Sequence, residues 1–471
     1  MAPSKDIINA KASLVFMVTR RTPELIRPAE PTPYEFKELS DIDDQESLRY
    51  QIPFIQFYRN ESTHMHMGRR DPVRVLKEAV AKALVPYYPL AGRLREKSGR
   101  KLEVECNGEG IIFIEADADV TLEDFGDGDI IQPPFPLEDL LFDVPGSTAI
   151  LGTPLILMQV TRLKCSGFIV ALRLNHTMSD LPGLVQFMNA VAELARGARS
   201  PSIQPVWERH LLRARDPPRV TFEHEEYDTI ADTKGTVIPF EDMVHKSFFF
   251  GPTEIAAIRQ LIPVNQKATT FEILSAFVWR CRTSALQPEP EEIVRMMCVI
   301  GFRNLFNPPL LPPGFYGNTI VFSMATSTAA KLCINPIEYA LELVKNSKAR
   351  SQEYVKSTID YMVIKGRPHF TVVRNFVVSD LTRVGFDKLD YGWGQPAYGG
   401  LAKAGVGAIP GVSSCHIPFK NRNGEKGFVV PICLPKNAMD LFVKELNRLL
   451  YHVPNHLSVV ALRASSISSS L

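Results

Sequence analysis

The chain has 471 residues, 45% of them hydrophobic and 22% charged, a length and composition that predict a globular protein of two domains. Its 53 basic and 52 acidic residues leave a formal net charge of +1, and no block of five basic residues occurs. We therefore expect neither nucleic acid nor an anionic membrane as a partner, and no stretch approaches the ~20 apolar residues of a membrane span.

The first half of the chain alternates strand and helix patterns. Residues 12–19 predict an early strand. A helix is predicted to begin with Asp71 as N-cap and Pro72 in its first turn, and to end at Pro86. Strand-like runs then cover residues 101–106, 110–116, 155–163 and Phe168–Asn175. The last two are joined by a short segment that ends in Gly167, which is typical of a hairpin.

The pentapeptide His176-Thr177-Met178-Ser179-Asp180 lies between the last of these strands and a helix predicted at residues 182–197. Apolar residues at helical spacing indicate this helix, Ser179 or Asp180 can cap it, and Gly197 can end it. A histidine at the end of a buried strand is held rigidly and can still face a cavity, as a general base requires.

Residues 200–239 contain several prolines among charged residues and predict a long extended crossover. We therefore place an N-terminal domain at residues 1–199 and a C-terminal domain at residues 240–471. Helices of the second half are predicted at residues 253–261, 270–286, 336–354 and 438–450. Its strands are predicted at residues 296–301, 318–323, 374–378, 413–418 and 427–434. The fold class is thus α/β of the α+β type, in two domains of similar size.

Seven scattered cysteines form no Cys-x-x-Cys pair, which argues against a zinc site or a disulfide framework and predicts buried free thiols in a reducing compartment. The N-terminus lacks a signal-peptide pattern, so a cytoplasmic protein is expected. The final Ser469-Ser470-Leu471 is loosely similar to the peroxisomal Ser-Lys-Leu signal and leaves the peroxisome as an alternative.

Two segments match His-x-x-x-Asp, which is a weak pattern by itself. His176 follows an apolar strand and precedes a capped helix, so it is either a general base or a core histidine satisfied by a hydrogen bond. His224, four residues before Asp228, lies in the charged crossover, where a solvated loop is the simpler interpretation.

A second motif, Asp390-Tyr391-Gly392-Trp393-Gly394, places Gly-Trp-Gly in a chain with only three tryptophans. Glycines on both sides of a tryptophan let the backbone turn sharply or accept a close neighbour. The segment is either a structural loop with Trp393 as a packing plug or a brace for an active site.

Together, the two motifs resemble the HxxxD and DFGWG motifs of the plant BAHD acyltransferase family, with Tyr391 in place of the usual Phe. Three further segments resemble signatures of this family in the same order along the chain. They are residues 87–94 (YYPLAGRL), 315–318 (FYGN) and 427–446 (GFVVPICLPKNAMDLFVKEL). The resemblance covers nearly the whole chain.

Resemblance to this family implies two chloramphenicol-acetyltransferase-like domains with an active-site channel at their interface. It implies a monomeric O-acyltransferase that moves an acyl group from an acyl-CoA co-substrate to a small alcohol, with no bound cofactor or metal. Segments 39–45 and 379–382 are most similar to the branch that benzoylates benzyl alcohol. Acetyl-CoA or other donors, with aliphatic, terpenoid or alkaloid alcohols, are the alternative. A non-catalytic relative that binds acyl-CoA or a partner protein is an alternative of a different class.

The resemblance also implies roles for residues of the two motifs. His176 would act as the general base that takes the proton of the alcohol. Asp180 would pair with Arg303 and hold the loop rather than relay charge. Gly392 and Gly394 would support the shape of their own loop.

The remaining assignments concern the oxyanion and CoA. Ser379 keeps the hydroxyl of one oxyanion donor of the family, whereas Leu381 stands where a second donor is found and cannot donate. Trp393 could compensate, and Asp390 is expected to brace its loop or to play an auxiliary polar role. The candidates for contact with the phosphates of CoA are Lys267 and Thr270.

Overall fold

The computed structural model describes residues 14–60, 70–127, 130–230, 242–346, 351–405, 411–421 and 423–451. Within these ranges the helices are α1 (Pro72–Ala83), α2 (Leu137–Leu140), α3 (Leu181–Ala195), α4 (Pro252–Gln260), α5 (Thr270–Leu286), α6 (Ala329–Ile334), α7 (Ile337–Asn346), α8 (Gln352–Ile364) and α9 (Lys436–Tyr451). The strands of the first half are β1 (Val18–Arg20), β2 (Glu24–Ile26), β3 (Phe36–Glu38), β4 (Gln51–Tyr58), β5 (Arg93–Glu96), β6 (Leu102–Glu105), β7 (Ile111–Ala118), β8 (Gly126–Asp127), β9 (Ile130–Ile131), β10 (Ile156–Arg162) and β11 (Phe168–Asn175). Those of the second half are β12 (Met243–Phe250), β13 (Ile293–Gly301), β14 (Ile320–Thr328), β15 (Asn375–Asp380), β16 (Tyr398–Gly400), β17 (Ser413–Lys420) and β18 (Lys426–Pro435).

The first sheet carries the His176 loop. Its strand order is β1-β7-β10-β11-β4-β16, with β2 also paired to β7. β10 and β11 form the predicted antiparallel hairpin, and β11 pairs on its other side with β4. Seven of the eight residues of β11 are buried, so side chains on both faces of the strand are covered, which explains why its sequence is an almost continuous apolar run.

In the second sheet, the carboxyl ends of the parallel strands lie on the side of that loop. Its strand order is β12-β18-β17-β15-β13-β14, and β13, β15 and β17 run parallel, so their carboxyl ends point the same way. β13 ends at Gly301, two residues before Arg303, and Gly301 pairs with Ile320 at the start of β14. The segment 315–319, just before β14, therefore lies at the same end of the second sheet as Arg303.

The two halves of the chain share the first hydrophobic core. β16, from the second half, pairs antiparallel with β4 and covers the edge of the first sheet. Phe386 stacks on Phe54 with ring centroids 4.6 Å apart, and Leu389, Tyr391 and Trp393 are buried in the same core. The predicted boundary at residue 240 therefore does not separate the two cores, because this later segment buries its apolar side chains against β4.

Capping residues fix where the helices near the junction begin. Asp180 caps α3 by accepting from the N–H of Gly183 at 3.0 Å. Thr269 and Glu272 form a reciprocal capping box at the start of α5. Because α3 begins five residues after His176, its cap limits the conformations that the intervening loop can adopt.

Several predicted elements differ from the structure. The single helix predicted at residues 336–354 is wrong, because α7 ends at Asn346 and Ser351 has extended backbone and caps a separate helix, α8. Of the strand predicted at residues 12–19, only Val18 and Thr19 are paired; residues 14–17 are irregular, and residues 12 and 13 lie outside the described residues. β4 and β12 were missed because polar residues and a proline interrupt their apolar patterns.

The described part of the crossover, residues 200–230, contains two short 3-10 turns, Arg209–Leu212 and Glu225–Tyr227. Residues 216–223 are exposed to solvent, but other polar residues of the segment are buried. Arg209, His224 and Glu226 are each less than 5% exposed, so the crossover forms part of the packing between the two sheets.

Candidate active site

His176 directly follows β11, and its N–H donates to the carbonyl of Tyr50 at 2.9 Å, which continues the pairing of β11 with β4. Its side chain is buried, and its ring centroid lies 5.2 Å from that of Tyr50. Nδ1 is buried and has no hydrogen-bond partner among the described residues. The amide of Asn318 and the backbone of His176 nevertheless lie close enough to the imidazole to favour its protonated form. Its position at the end of a buried strand, rather than a missing partner, is what fits a general base.

Burial lowers the pKa of His176 below its usual value, because the charged imidazolium loses its hydration. The backbone of His176, the carboxylate of Asp180, the amide of Asn318 and the carboxylate of Asp43 act in the opposite direction but do not outweigh burial. The imidazole is therefore neutral at physiological pH and able to accept a proton.

The carboxylate of Asp180 is engaged entirely by its structural neighbours. Besides capping α3, it accepts from the N–H and the hydroxyl of Thr319 at 2.9 and 2.7 Å. Nη2 of Arg303 lies 3.1 Å from Oδ1, so the ion pair expected from the sequence is present. Arg303 also donates to the carbonyls of Phe315 and Gly317. These contacts hold the loop against the edge of the second sheet.

A second carboxylate, Asp43, lies at the same junction with its side chain fully buried. Its Oδ1 accepts from the backbone N–H and the amide of Asn318 at 2.9 and 2.8 Å, and its Oδ2 accepts from Nη1 of Arg209 at 2.6 Å. The same Asn318 amide donates to the carbonyl of His176, and Nη2 of Arg209 donates to the carbonyl of Met178, both at 2.8 Å.

These three residues were missed as site residues. Asp43 lies in segment 39–45 and Asn318 in the FYGN segment, and both segments served only as marks of the family. A run of acidic residues next to a buried strand is a signal that could have drawn attention to Asp43. Arg209 lies in a proline-rich crossover, and nothing in the local sequence distinguishes it from a surface arginine.

Ser379 is half-buried on β15, directly after Val378, which pairs with Cys298 on β13. It therefore lies near the carboxyl edge of the second sheet, on the side of Arg303. Leu381 is buried in the first core, and its N–H donates to a strand carbonyl of β17. The side chain of Leu381 is thus a packing group at this position.

Lys267 and Thr270 lie at the N-terminal end of α5, with Lys267 exposed and Thr270 half-buried. The next residue, Phe271, packs 5.0 Å from the ring of His416 on β17, and β17 pairs with β15 at Ser379. The N-terminus of α5 therefore lies beside the sheet edge that carries Ser379. The positive end of a helix dipole favours anionic groups such as phosphate.

The Gly-Trp-Gly loop is braced from within. Oδ1 of Asp390 accepts from the N–H of Gly392 at 2.7 Å and of Gly394 at 3.0 Å. Both glycines have positive φ, 112° and 92°, which other residues rarely adopt. The ring of Trp393 packs edge-on against Phe168, with centroids 5.1 Å apart.

This loop lies at the far end of β11 from His176. Phe168 is the first residue of β11 and His176 follows the last, so the two ends are roughly 25 Å apart at ~3.3 Å per residue. A direct catalytic role for Asp390 or Trp393 is therefore not supported. Both residues fix a loop that packs under the strand carrying His176.

The solvated-loop interpretation of His224 is wrong. Its Nδ1 lies 2.8 Å from Glu226 and its Nε2 lies 2.9 Å from the hydroxyl of Ser357 on α8. The hydroxyl of Tyr354 also donates to Glu226 at 2.6 Å. His224 is a satisfied core histidine that ties the crossover to α8.

Two clefts border the elements that position the His176 loop. One, of about 670 Å³, is lined by the start of β4, by Tyr50 and by parts of segment 137–150. The other, of about 350 Å³, lies between α3 and residues 201–203. Tyr50 belongs both to the larger cleft and to the surroundings of His176.

Other expectations from the sequence have mixed outcomes. All seven cysteines are free thiols, and five are buried, but Cys165 is exposed. Among the described residues, none of the helices combines the length and apolar character needed to cross a bilayer. In the same ranges, His, Cys, Asp and Glu form no group that could hold a metal ion. The C-terminal Ser469-Ser470-Leu471 lies outside the described residues.

Comparison with known proteins defines the class to which this fold and site belong. A family model described as "Transferase family" matches residues 16–449, and the chain belongs to this family. The resemblance to BAHD acyltransferases is thereby confirmed, and the protein is an acyltransferase. The alternative of a non-catalytic relative is not supported by these matches.

The similarity to named relatives extends over most of the chain. The chain is 64% identical over 442 residues to benzyl alcohol O-benzoyltransferase of Nicotiana tabacum, covering 93% of this chain and 95% of that protein. It is 51% identical over 444 residues to (Z)-3-hexen-1-ol acetyltransferase of Arabidopsis thaliana, covering 93% and 96%. The crystal structure of vinorine synthase matches with a TM-score of 0.70 at 21% identity, covering 92% and 98%, which confirms the predicted fold class.

Proposed function

We propose that this acyltransferase transfers a benzoyl group from benzoyl-CoA to benzyl alcohol. The observation that carries the substrate assignment is the 64% identity with benzyl alcohol O-benzoyltransferase over nearly the full length of both chains. The buried, strand-end His176 at the junction of the two sheets supports acyl transfer to a hydroxyl group. We also propose that the protein is a cytoplasmic monomer, with the peroxisome as the alternative location.

In this proposal His176 acts as a general base. A hydroxyl is a poor nucleophile at neutral pH, so the neutral imidazole takes its proton as the oxygen forms a bond to the thioester carbonyl. When the tetrahedral intermediate collapses, the carbon–sulfur bond breaks and the imidazolium returns the proton to the departing thiolate of CoA. No bond to the enzyme forms, so both substrates are bound together before the chemistry.

Ser379 and the start of α5 support this arrangement. The Ser379 hydroxyl, near the carboxyl edge of the second sheet, is the candidate donor to the oxyanion. Lys267 and Thr270 lie where the N-terminus of α5 favours an anion, and we propose them as contacts of the CoA phosphates. Asp180 and Arg303 hold the loop, and Gly392 and Gly394 shape the loop beneath β11.

A second candidate is acetyl transfer to an aliphatic alcohol. The 51% identity with (Z)-3-hexen-1-ol acetyltransferase favours it. A difference of one methylene group in an apolar pocket changes discrimination by only ~1–3 kcal/mol, so relatives of this kind can differ in preferred substrate.

The test is a matrix of donors and acceptors, read by release of free CoA thiol and by identification of the ester. Benzoyl-CoA and acetyl-CoA are each paired with benzyl alcohol and with (Z)-3-hexen-1-ol. The proposal expects the highest kcat/KM for benzoyl-CoA with benzyl alcohol. A higher value for acetyl-CoA with (Z)-3-hexen-1-ol would replace it with the second candidate.

The role of His176 is tested with a matched histidine. His176→Ala should lower kcat by at least ~10²-fold with folding retained. His224→Ala removes the buried histidine of the other His-x-x-x-Asp segment and should lower thermal stability without a comparable loss of kcat. Full activity in His176→Ala would refute the general-base mechanism.

A further inference from the structure

The carboxylate of Asp43 is the centre of a polar cluster that joins three separate parts of the chain. Its two oxygens accept five hydrogen bonds, from the N–H and hydroxyl of Ser40, from Nη1 of Arg209, and from the N–H and amide of Asn318. Ser40 belongs to the first half, Arg209 to the crossover and Asn318 to the second half. A buried carboxylate with this many donors is fully satisfied and fixes the direction of each donor.

Two of these donors continue to the loop that carries His176. Nδ2 of Asn318 bridges Asp43 and the carbonyl of His176, and Arg209 divides its two terminal nitrogens between Asp43 and the carbonyl of Met178. The backbone on both sides of Thr177 is thus anchored through Asp43. Removal of the Asp43 charge would leave Arg209 buried without its only carboxylate partner among the described residues.

The surroundings leave Arg209 little freedom to find another position. Its guanidinium lies 4.3 Å from the ring of Trp207 and 5.2 Å from that of Tyr316. A Cβ at Gly317 would overlap Nη1 of Arg209. The absence of a side chain at Gly317 is therefore what allows the guanidinium to reach Asp43.

We propose that Asp43 is a positioning residue for the reaction, which acts through Asn318 and Arg209 to hold the backbone of the His176 loop in its reactive geometry. The proposal rests on His176 being the base. Asp43 makes no hydrogen bond to the imidazole in the structure; besides the effect of its charge on the pKa of His176, it acts on the chemistry through the loop. A displacement of about 1 Å at a reacting group can lower a rate by ~10²-fold, which is the scale on which such an anchor acts.

Asp44 provides the matched control. Its side chain is as fully buried as that of Asp43, and it pairs with Arg49 and Arg367 at 3.0 and 2.8 Å. Among the described residues, none of the groups that pair with its carboxylate also contacts residues 176–180. Asp44→Asn therefore removes an equally buried paired carboxylate one residue away without releasing the loop.

The experiment compares Asp43→Asn, Asp44→Asn and the unsubstituted protein. For Asp43→Asn we expect kcat to fall by roughly 10- to 100-fold while KM for both substrates changes little. For Asp44→Asn we expect a similar loss of thermal stability with kcat within about twofold. Equal kcat values for the two variants would overturn the proposal.

A second measurement does not depend on turnover. Hydrogen–deuterium exchange of peptides that cover residues 172–184 should be about tenfold faster in Asp43→Asn and unchanged in Asp44→Asn. Asn318→Ala, which removes only the bridging amide, should reproduce this change if Asp43→Asn does not fold. Unchanged exchange in the folded variants would refute the anchor, whereas full activity of His176→Ala would refute the base assignment without affecting this readout.

Discussion

Nη2 of Arg303 lies 3.1 Å from Oδ1 of Asp180, and this pair links the edge of the second sheet to the first turn of α3. Asp180 is therefore an N-cap, an ion-pair partner and an acceptor for Thr319 at once. Asp71 is the corresponding N-cap of α1, but it pairs with Arg162 on the surface. A comparison of the two aspartates therefore distinguishes the stability contributed by a cap with an exposed ion pair from that of a cap whose ion pair links α3 to the second sheet.

Asp180→Ala should destabilise the protein by about 3–5 kcal/mol, because it leaves Arg303 without its carboxylate in a largely buried site. Asp71→Ala should cost about 1–2 kcal/mol, as expected for an exposed cap together with an exposed ion pair. Urea unfolding of both variants checks this difference. Equal losses would show that the contacts of Asp180 contribute no more than an exposed cap and an exposed ion pair.

The activity should depend on pH through the lowered pKa of His176. Its pKa in the folded protein lies below 6.5, so the base is already neutral at pH 7 and kcat/KM should fall only on the acid side of that value. A profile of kcat/KM from pH 4.5 to about 9 tests this. An acid limb centred above pH 7 would contradict the effect of burial.

His416 should make the protein sensitive to acid. Burial lowers its pKa to about 4, from 6.5. As the pH falls, the unfolded chain binds the proton first, so stability is lost between pH ~6.5 and ~4, up to about 3 kcal/mol. In His416→Leu this part of the pH dependence should vanish, as measured by urea unfolding at pH 7 and at pH 4.5. An unchanged difference between the two pH values would be inconsistent with a neutral buried His416.

Gly317→Ala should be far more harmful than Gly301→Ala. A methyl group at Gly317 overlaps the guanidinium of Arg209, whereas the nearest atom to a methyl group at Gly301 is the carbonyl of Thr319 at 4.0 Å. We expect a loss of about 1–3 kcal/mol for the first substitution and less than ~1 kcal/mol for the second. Thermal unfolding of the two variants provides the comparison.

Trp393→Phe should reduce stability rather than catalysis. The substitution keeps an aromatic ring against Phe168 but leaves a gap, at a cost of about 1 kcal/mol or more. Because Trp393 lies at the far end of β11 from His176, kcat should stay within about threefold. A loss of ~10²-fold in kcat with little change in stability would instead indicate a direct role of Trp393 in catalysis.

The sequence predicts correctly those helices and strands whose bounds depend only on neighbouring residues. β11 and α5 have the predicted bounds, because one is a continuous apolar run and the other carries its own cap at Thr269. The placement of His176 follows from these local features, and the pairing of Asp180 with Arg303 from the family resemblance. The positions of Asp43, Arg209 and Asn318 could not be predicted, since only the folded chain brings three segments so distant in sequence to one carboxylate.

Burial explains the wrong interpretation of His224 and distinguishes between the alternatives left open for the Gly-Trp-Gly loop. His224 and Glu226 are charged or polar in sequence and suggest solvent, but each finds a partner on α8. Trp393 packs against Phe168 at the start of β11, whereas His176 follows the last residue of that strand, so the loop supports the strand from its opposite end. Sequence patterns predict the apolar face of a helix or strand better than they predict which polar residues will meet in a buried cluster.

The pairing of β16 with β4 has a consequence for synthesis of the chain. When the ribosome has completed β11, the strand β4 still presents an unpaired, mostly apolar edge, and Tyr398 to Gly400 emerge only about 220 residues later. At the usual ~5–20 residues per second this interval is on the order of tens of seconds. During that time the nascent chain exposes the kind of strand edge that recruits chaperones or pairs with another copy.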